Sequence, residues 1–128
     1  MRVLIDTHLL LWAASDPERL SAAARTELEN PENIPMFSAA SLWEIAIKNG
    51  LGRADFAVDV ALLRRGLLEK GYEELAIMSQ HAVFVGRLPA LHKDPFDRIL
   101  VAQSLTEGIT LVTSDAMVAQ YHASIRQV

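Results

Sequence analysis

The sequence predicts an α/β domain, a short parallel sheet with helices on both of its faces. Three observations carry that expectation. Short, nearly all-apolar runs recur at residues 2–5, 34–37, 75–78 and 109–113, as strands buried on both faces require. Helical segments separate these runs, the alternation that builds parallel strands with crossover helices. The chain has 128 residues, 51% hydrophobic and 22% charged, enough for one core and too few for two. A single domain over 1–128 is therefore expected.

The elements follow in order. Residues 2–5 form the first strand, which ends in Asp6. A helix takes over at Leu9-Leu10-Leu11-Trp12-Ala13, and Asp16-Pro17 starts a new turn. Residues 21–29 are a second helix, stopped by Asn30-Pro31. The second strand, 34–37, is broken early by Pro35. Ser38 or Ser41 caps a helix over 42–49 that ends at Gly50, a residue type suited to that position. Residues 52–56 are a connection, and 58–70 an amphipathic helix closed by Gly71. The third strand spans 75–78, a short helix 80–86, and a loop 89–93. Asp94 then reads as an N-cap with Pro95 at the first helical position, where its missing N–H costs nothing. That helix is apolar nearly all round (Phe96, Ile99, Leu100, Val101, Ala102, Leu105), hence buried, and ends near Gly108. The fourth strand is 109–113, and Ser114-Asp115 opens a last helix through Tyr121.

Composition removes several classes of function. There is no cysteine, so disulfides and thiolate metal sites are excluded. No run approaches the roughly 18 apolar residues of a membrane span, and the first residues lack the pattern of a signal peptide. A cytoplasmic protein without membrane contact is expected. The net charge of −4 argues against tight nonspecific binding to nucleic acid, which needs a basic footprint. An enzyme that reaches nucleic acid through bridging cations remains open. Repeats, low-complexity tracts and interdomain linkers are absent from the sequence.

The chemistry concentrates in four acids. Ligands of an open parallel sheet bind beyond the carboxyl ends of its strands. Asp6 follows the first strand and Asp115 the last, with Thr7 and Thr113 beside them as hydrogen-bond partners. Asp97 lies one turn into the buried helix, where an unpaired carboxylate is costly. Glu44 falls in the first turn of the helix after the second strand. Plain structural alternatives stand beside three of these: Asp97 as a charged capping residue, Asp115 as an N-cap, and Glu44 in a capping box with Ser41 or an i,i+4 pair with Lys48. Two carboxylates about 4 Å apart repel by roughly 4 kcal/mol at an effective dielectric near 20. A converging set therefore needs protonation or a divalent cation. Oxygen ligation without Cys or a paired-His motif suits Mg²⁺ or Mn²⁺ better than zinc. The reaction such a site serves is metal-assisted phosphodiester hydrolysis. His92, Lys93 and Arg98 border it and are candidates for phosphate contact. Trp12 and Trp43 read as core or interface, and Arg64, Arg65 and Lys70 as a solvated helix face.

Four blocks make a specific pattern from one end of the chain to the other. They are Leu4-Ile5-Asp6-Thr7-His8 with Trp12; Ser38 to Lys48 (SAASLWEIAIK); His92 to Gln103 (HKDPFDRILVAQ); and Leu111-Val112-Thr113-Ser114-Asp115. In these blocks the chain resembles PIN-domain ribonucleases, specifically VapC-type toxins of type II toxin–antitoxin pairs. The resemblance implies that Asp6, Glu44, Asp97 and Asp115 bind Mg²⁺ or Mn²⁺ in an RNA endonuclease. It also implies homodimerisation and a cognate VapB-like antitoxin. Such an antitoxin is expected to anchor through an apolar helix and to inhibit by inserting a basic side chain among the acids. Asp94 remains a cap in this reading. A haloacid-dehalogenase-type phosphatase would need a second Asp where His8 stands. A receiver-like domain would need paired acids after the first strand and a Lys near the end of the last. The alternative from another class is a catalytically silent PIN-like module that only binds a partner. The four acids speak against it, since a binding module has no use for their mutual repulsion.

Overall fold

The computed structural model describes residues 1–51 and 57–128. In chain order the elements are β1 (Arg2–Ile5), α1 (Thr7–Ser15), a 3₁₀ turn (Pro17–Arg19), α2 (Ala22–Glu29), β2 (Ile34–Ser38) and α3 (Ala39–Gly50). There follow α4 (Val60–Glu69), β3 (Glu73–Leu75), α5 (Ser79–Val85), α6 (Pro95–Glu107), β4 (Thr110–Thr113), α7 (Ala116–Ala119) and β5 (Arg126–Gln127). The strands form one sheet in the order β3-β2-β1-β4-β5, and every pairing is parallel. This is the expected α/β architecture. Leu4 of β1 stands opposite Met36 of β2 on one side and Leu111 of β4 on the other. The chain runs outward from β1 through β2 and β3, then crosses to β4 and β5. The order reverses between β1 and β4, so the topological switch point lies at their carboxyl ends.

Alternation along β1 divides the core into two layers. Val3 and Ile5 pack with Leu9, Leu10, Ala24, Phe37, Ile45, Leu63 and Leu67 under α1 to α4. Leu4 turns to the opposite face with Met36, Leu100, Val101, Leu111 and Val118, covered by α6 and α7. Among the described residues, no helix is long and apolar enough to cross a membrane.

Several boundaries differ from the sequence expectation, each for a local reason. Pro35 does not interrupt β2, and it pairs with Val3. The neighbouring Ile34 N–H donates to Met1 O of the β1 side, so the Pro35 nitrogen faces the opposite edge, where β3 pairs only from Met36 onward. The Ser38 hydroxyl accepts from the Ala40 N–H, which starts α3 at Ala39 rather than Leu42 and places Ser41 inside the helix. Gly50 is the last helical residue, without the left-handed backbone that Gly71 and Gly108 adopt. The third strand lies at 73–75, where Glu73, Glu74 and Leu75 pair with Met36, Phe37 and Ser38 of β2, and Arg2 and Arg64 hold the two glutamates at the sheet's edge. Residues 76–78 have left the ladder, and the Met78 N–H turns to His81 Nδ1 instead. The polar β5 had no apolar signature to announce it. The connection expected over 52–56 lies outside the described residues.

Candidate metal centre

Of the helices that start at the carboxyl edge of the sheet, three are capped by an aspartate. Asp6 caps α1: its Oδ1 accepts the Leu9 N–H at 3.1 Å, and its Oδ2 accepts the Thr113 hydroxyl at 2.5 Å. Asp94 caps α6 through the N–H groups of Phe96 and Asp97. Asp115 caps α7 through those of Met117 and Val118. Short carboxylates satisfy the free N–H groups of a helix start and are stabilised by its dipole. Capping and clustering therefore coexist at Asp115, and Asp6 gains a capping role that the sequence did not suggest. The Thr113 hydroxyl also accepts the Asp115 N–H at 3.0 Å, tying Asp6 to Asp115.

Glu44 comes from α3, in its second turn, since the helix starts earlier than the sequence indicated. The residue is only 2% exposed. Lys48 holds Oε2 at 2.9 Å, the helical pair read from the sequence, while Oε1 is buried with no hydrogen-bond partner. The capping box with Ser41 does not form. Ser41 Oγ instead accepts the Thr7 hydroxyl at 2.9 Å, which fastens α1 to α3 behind Asp6.

Asp97, in the first turn of α6, has its pKa pushed up to about 7. Burial is the main cause, followed by the negative charges of Asp94 and Glu44; His92 opposes the shift and Asp6 adds to it. Three other acids, Asp94, Glu44 and Asp6, thus lie within electrostatic reach of Asp97. Burial also raises the Asp6 pKa, against the hydrogen bonds from Thr113 and Leu9. Asp115 moves the other way. Burial there is the largest single influence and acts upward, but the N–H groups of Met117 and Val118, with His92, outweigh it together.

His92 bridges the cluster. Its Nε2 lies 3.2 Å from Asp97 Oδ2 and 3.4 Å from Asp115 Oδ2, and the three donor atoms sit within 4.8 Å of one another. Nδ1 accepts the Asp94 N–H at 3.1 Å, which assigns the proton of the neutral ring to Nε2, toward the two acids. The structure therefore gathers Asp6, Glu44, Asp97, Asp115, Thr113 and His92 at one edge, with Thr7 one layer behind. Arg98 and Lys93 are placed differently. The Arg98 guanidinium donates to Val85 O, Pro89 O and the Tyr121 hydroxyl, so it secures the loop before α6 rather than reaching the acids. Lys93 is exposed. Tyr121 escaped the sequence reading. Its hydroxyl accepts the His92 N–H at 2.9 Å from 29 residues away, and no local pattern signals such a contact.

A buried carboxylate oxygen without a donor, beside a carboxyl that keeps its proton near neutrality, suits a hard divalent cation. Asp97 and Asp115 bring carboxylate oxygens within 4.8 Å of one another beside His92, and Asp6 and Glu44 are the further acids of this edge that would complete the set. His92 Nε2, which carries the ring proton, would have to release it to serve as a ligand.

Comparisons with known proteins identify the family. The model of the PIN domain family matches residues 3–123. The chain is 30% identical over 113 residues to the Mycobacterium tuberculosis protein named Ribonuclease VapC22, covering 88% of this chain and 86% of that protein. Among solved structures it resembles Rickettsia felis VapBC2 bound to a promoter DNA fragment (TM-score 0.70, 15% identity, 100% of this chain and 98% of that one). It also resembles VapBC-1 of nontypeable Haemophilus influenzae (TM-score 0.63, 17% identity, 100% and 97%). At those identities the two structures speak for the fold alone, whereas the family match spans nearly the whole sequence. The chain belongs to the PIN-domain family, as a VapC-type member.

Proposed function

We propose that this chain is an endoribonuclease that requires Mg²⁺ or Mn²⁺, the toxin of a toxin–antitoxin pair silenced by a VapB-like partner. The observation that carries the reading is the uncompensated acid edge: Glu44 Oε1 without a donor next to an Asp97 carboxyl raised to about 7. The names of the relatives support the ribonuclease activity and the antitoxin. When bound, the cation supplies Lewis-acid polarisation of phosphate oxygens and a more acidic water.

The chain's own residues do the rest. Thr113 and the Leu9 N–H hold the Asp6 carboxylate in one orientation, and Lys48 fixes Glu44, so the ligand set is arranged before substrate arrives. The helix starts at Asp6, Asp94 and Asp115 direct their dipoles toward the same edge and favour an anionic phosphate there. In hydrolysis a water oxygen bonds to phosphorus as the water gives up a proton, and the bond from phosphorus to the leaving ribose oxygen breaks as that oxygen takes up a proton. Asp97 gives up its proton when positive charge enters the cluster and becomes a full carboxylate. The partner is served by the apolar groove between α1 and α4, lined by Leu11, Leu62, Leu63, Leu67 and Tyr72. The protein acts in the cytoplasm as a homodimer.

A cleavage assay on single-stranded RNA tests the proposal. The purified chain should cut with Mg²⁺ or Mn²⁺, stop in EDTA, and fall silent when the antitoxin is added. Cleavage that persists in EDTA, or its absence with both ions in a folded protein, would overturn the reading.

A further inference from the structure

An acidic nuclease must hold a polyanion somewhere other than on its acids. Several basic side chains of the surface are engaged elsewhere: Arg2 of β1 with Glu73, Arg64 of α4 with Glu74, and Arg126 of β5 with Glu27. Arg19 is different. It is exposed on the 3₁₀ turn, and its guanidinium carbon lies 5.0 Å from the centroid of the Trp12 ring, a cation–π stack. Among the described residues no carboxylate pairs with it. Stacking fixes the guanidinium plane and leaves its N–H edge for a phosphate. The turn is itself held in place, since Arg25 Nη2 donates to Pro17 O at 2.8 Å.

Trp12 continues the row inward. One face of α1 carries Trp12 and, four residues earlier, His8, with ring centroids 6.0 Å apart and planes tilted by 45°. His8 is exposed, while Trp12 is half-buried against the core under α1. His8 lies in the first turn of α1, the helix that Asp6 caps. Three planar groups thus lead from an exposed cation to the edge where the acids converge.

We propose that His8, Trp12 and Arg19 form the track along which single-stranded RNA enters the site, a base stacking on His8 while Arg19 holds a phosphate. This rests on the ribonuclease reading and adds the form of the substrate. Stacking on exposed rings requires unpaired bases, so the track selects single-stranded segments over duplex.

The test uses fluorescein-labelled single-stranded RNA and the corresponding duplex, with His8→Ala, Arg19→Ala and Arg19→Glu made in the full chain. Binding is measured in the Asp97→Asn background with Mg²⁺, to prevent turnover, and cleavage in the native background. Each alanine variant should weaken single-strand binding on the order of tenfold, with little change for duplex. Arg19→Ala should also make the salt dependence shallower by about one counterion, and Arg19→Glu should weaken binding further. Both side chains are exposed, so melting temperatures should stay near that of the parent. Unchanged affinity and salt slope, with a lowered melting temperature for Arg19→Ala, would show a structural clasp and overturn the track. Lost antitoxin binding with intact RNA binding would reassign the surface to a protein partner and overturn it too. If the unmodified chain cuts no RNA, the ribonuclease reading fails first and the track falls with it.

Discussion

Replacing Asp97 by Asn tests the electrostatics of the site without RNA. The side chain keeps its shape and loses a charge opposed by burial and by Asp94 and Glu44. The carboxyl rises from 3.8 to about 7 on folding. Between those values the folded chain binds a proton that the unfolded chain has released, so metal-free stability falls as pH climbs through this window and levels off above about 7. A rise of about three pH units, at 1.36 kcal/mol each, sets a ceiling of about 4 kcal/mol. The side chain is still 19% exposed, and solvent screening reduces the effect to roughly 1–2 kcal/mol. In EDTA near pH 8, Asp97→Asn should therefore melt some 3–8 °C above the parent. Near pH 4 the gain should vanish, because the parent carboxyl is then neutral in both states. Melts at the two pH values, with cleavage assayed on the same samples, measure this. A variant that gains nothing near pH 8, or gains equally at both, would refute the repulsion argument.

Further expectations follow from the same geometry. Glu44→Gln removes the charge beside the unpartnered oxygen and should cut cleavage and Mn²⁺ affinity on the order of 100-fold, read by calorimetric titration and by the assay. Thr113→Val leaves buried Asp6 Oδ2 without its donor and should cost about 1–3 kcal/mol in urea unfolding as well as activity; Thr113→Ser should restore both. Arg98→Ala frees the carbonyls of Val85 and Pro89 and should loosen the loop carrying His92, seen as faster amide exchange over residues 86–93 while Mn²⁺ still binds.

How far the sequence alone reaches depends on which force fixes each feature. The central strands β1 and β4 were plain, because burial on both faces demands unbroken apolar runs. Helix α6 was equally plain, since Asp94, Pro95 and Gly108 mark both of its ends by local backbone chemistry. Beta strands β3 and β5 were misread or missed because edge strands pair on one side only, and Glu73, Glu74, Arg126 and Gln127 can remain exposed or half-exposed there. The candidate acids were singled out by their places after strands and at helix starts, with the family resemblance naming the set. What stayed hidden depends on three-dimensional neighbours: the orphaned Glu44 Oε1, the turn of His92 toward Asp97 and Asp115, and the reach of Tyr121 across to the loop. Arg98 shows the reverse. A cation next to a catalytic candidate in sequence was drawn away by the carbonyls of a loop that needed donors.

The central claim is that the acid edge is a divalent-cation site, and anomalous diffraction from crystals grown with Mn²⁺ tests it most directly. The account predicts a peak among the carboxylates of Asp6, Glu44, Asp97 and Asp115, lost in Asp97→Asn crystals. Density for Mn²⁺ only at remote surface carboxylates, with this cluster empty in the unmodified protein, would contradict it.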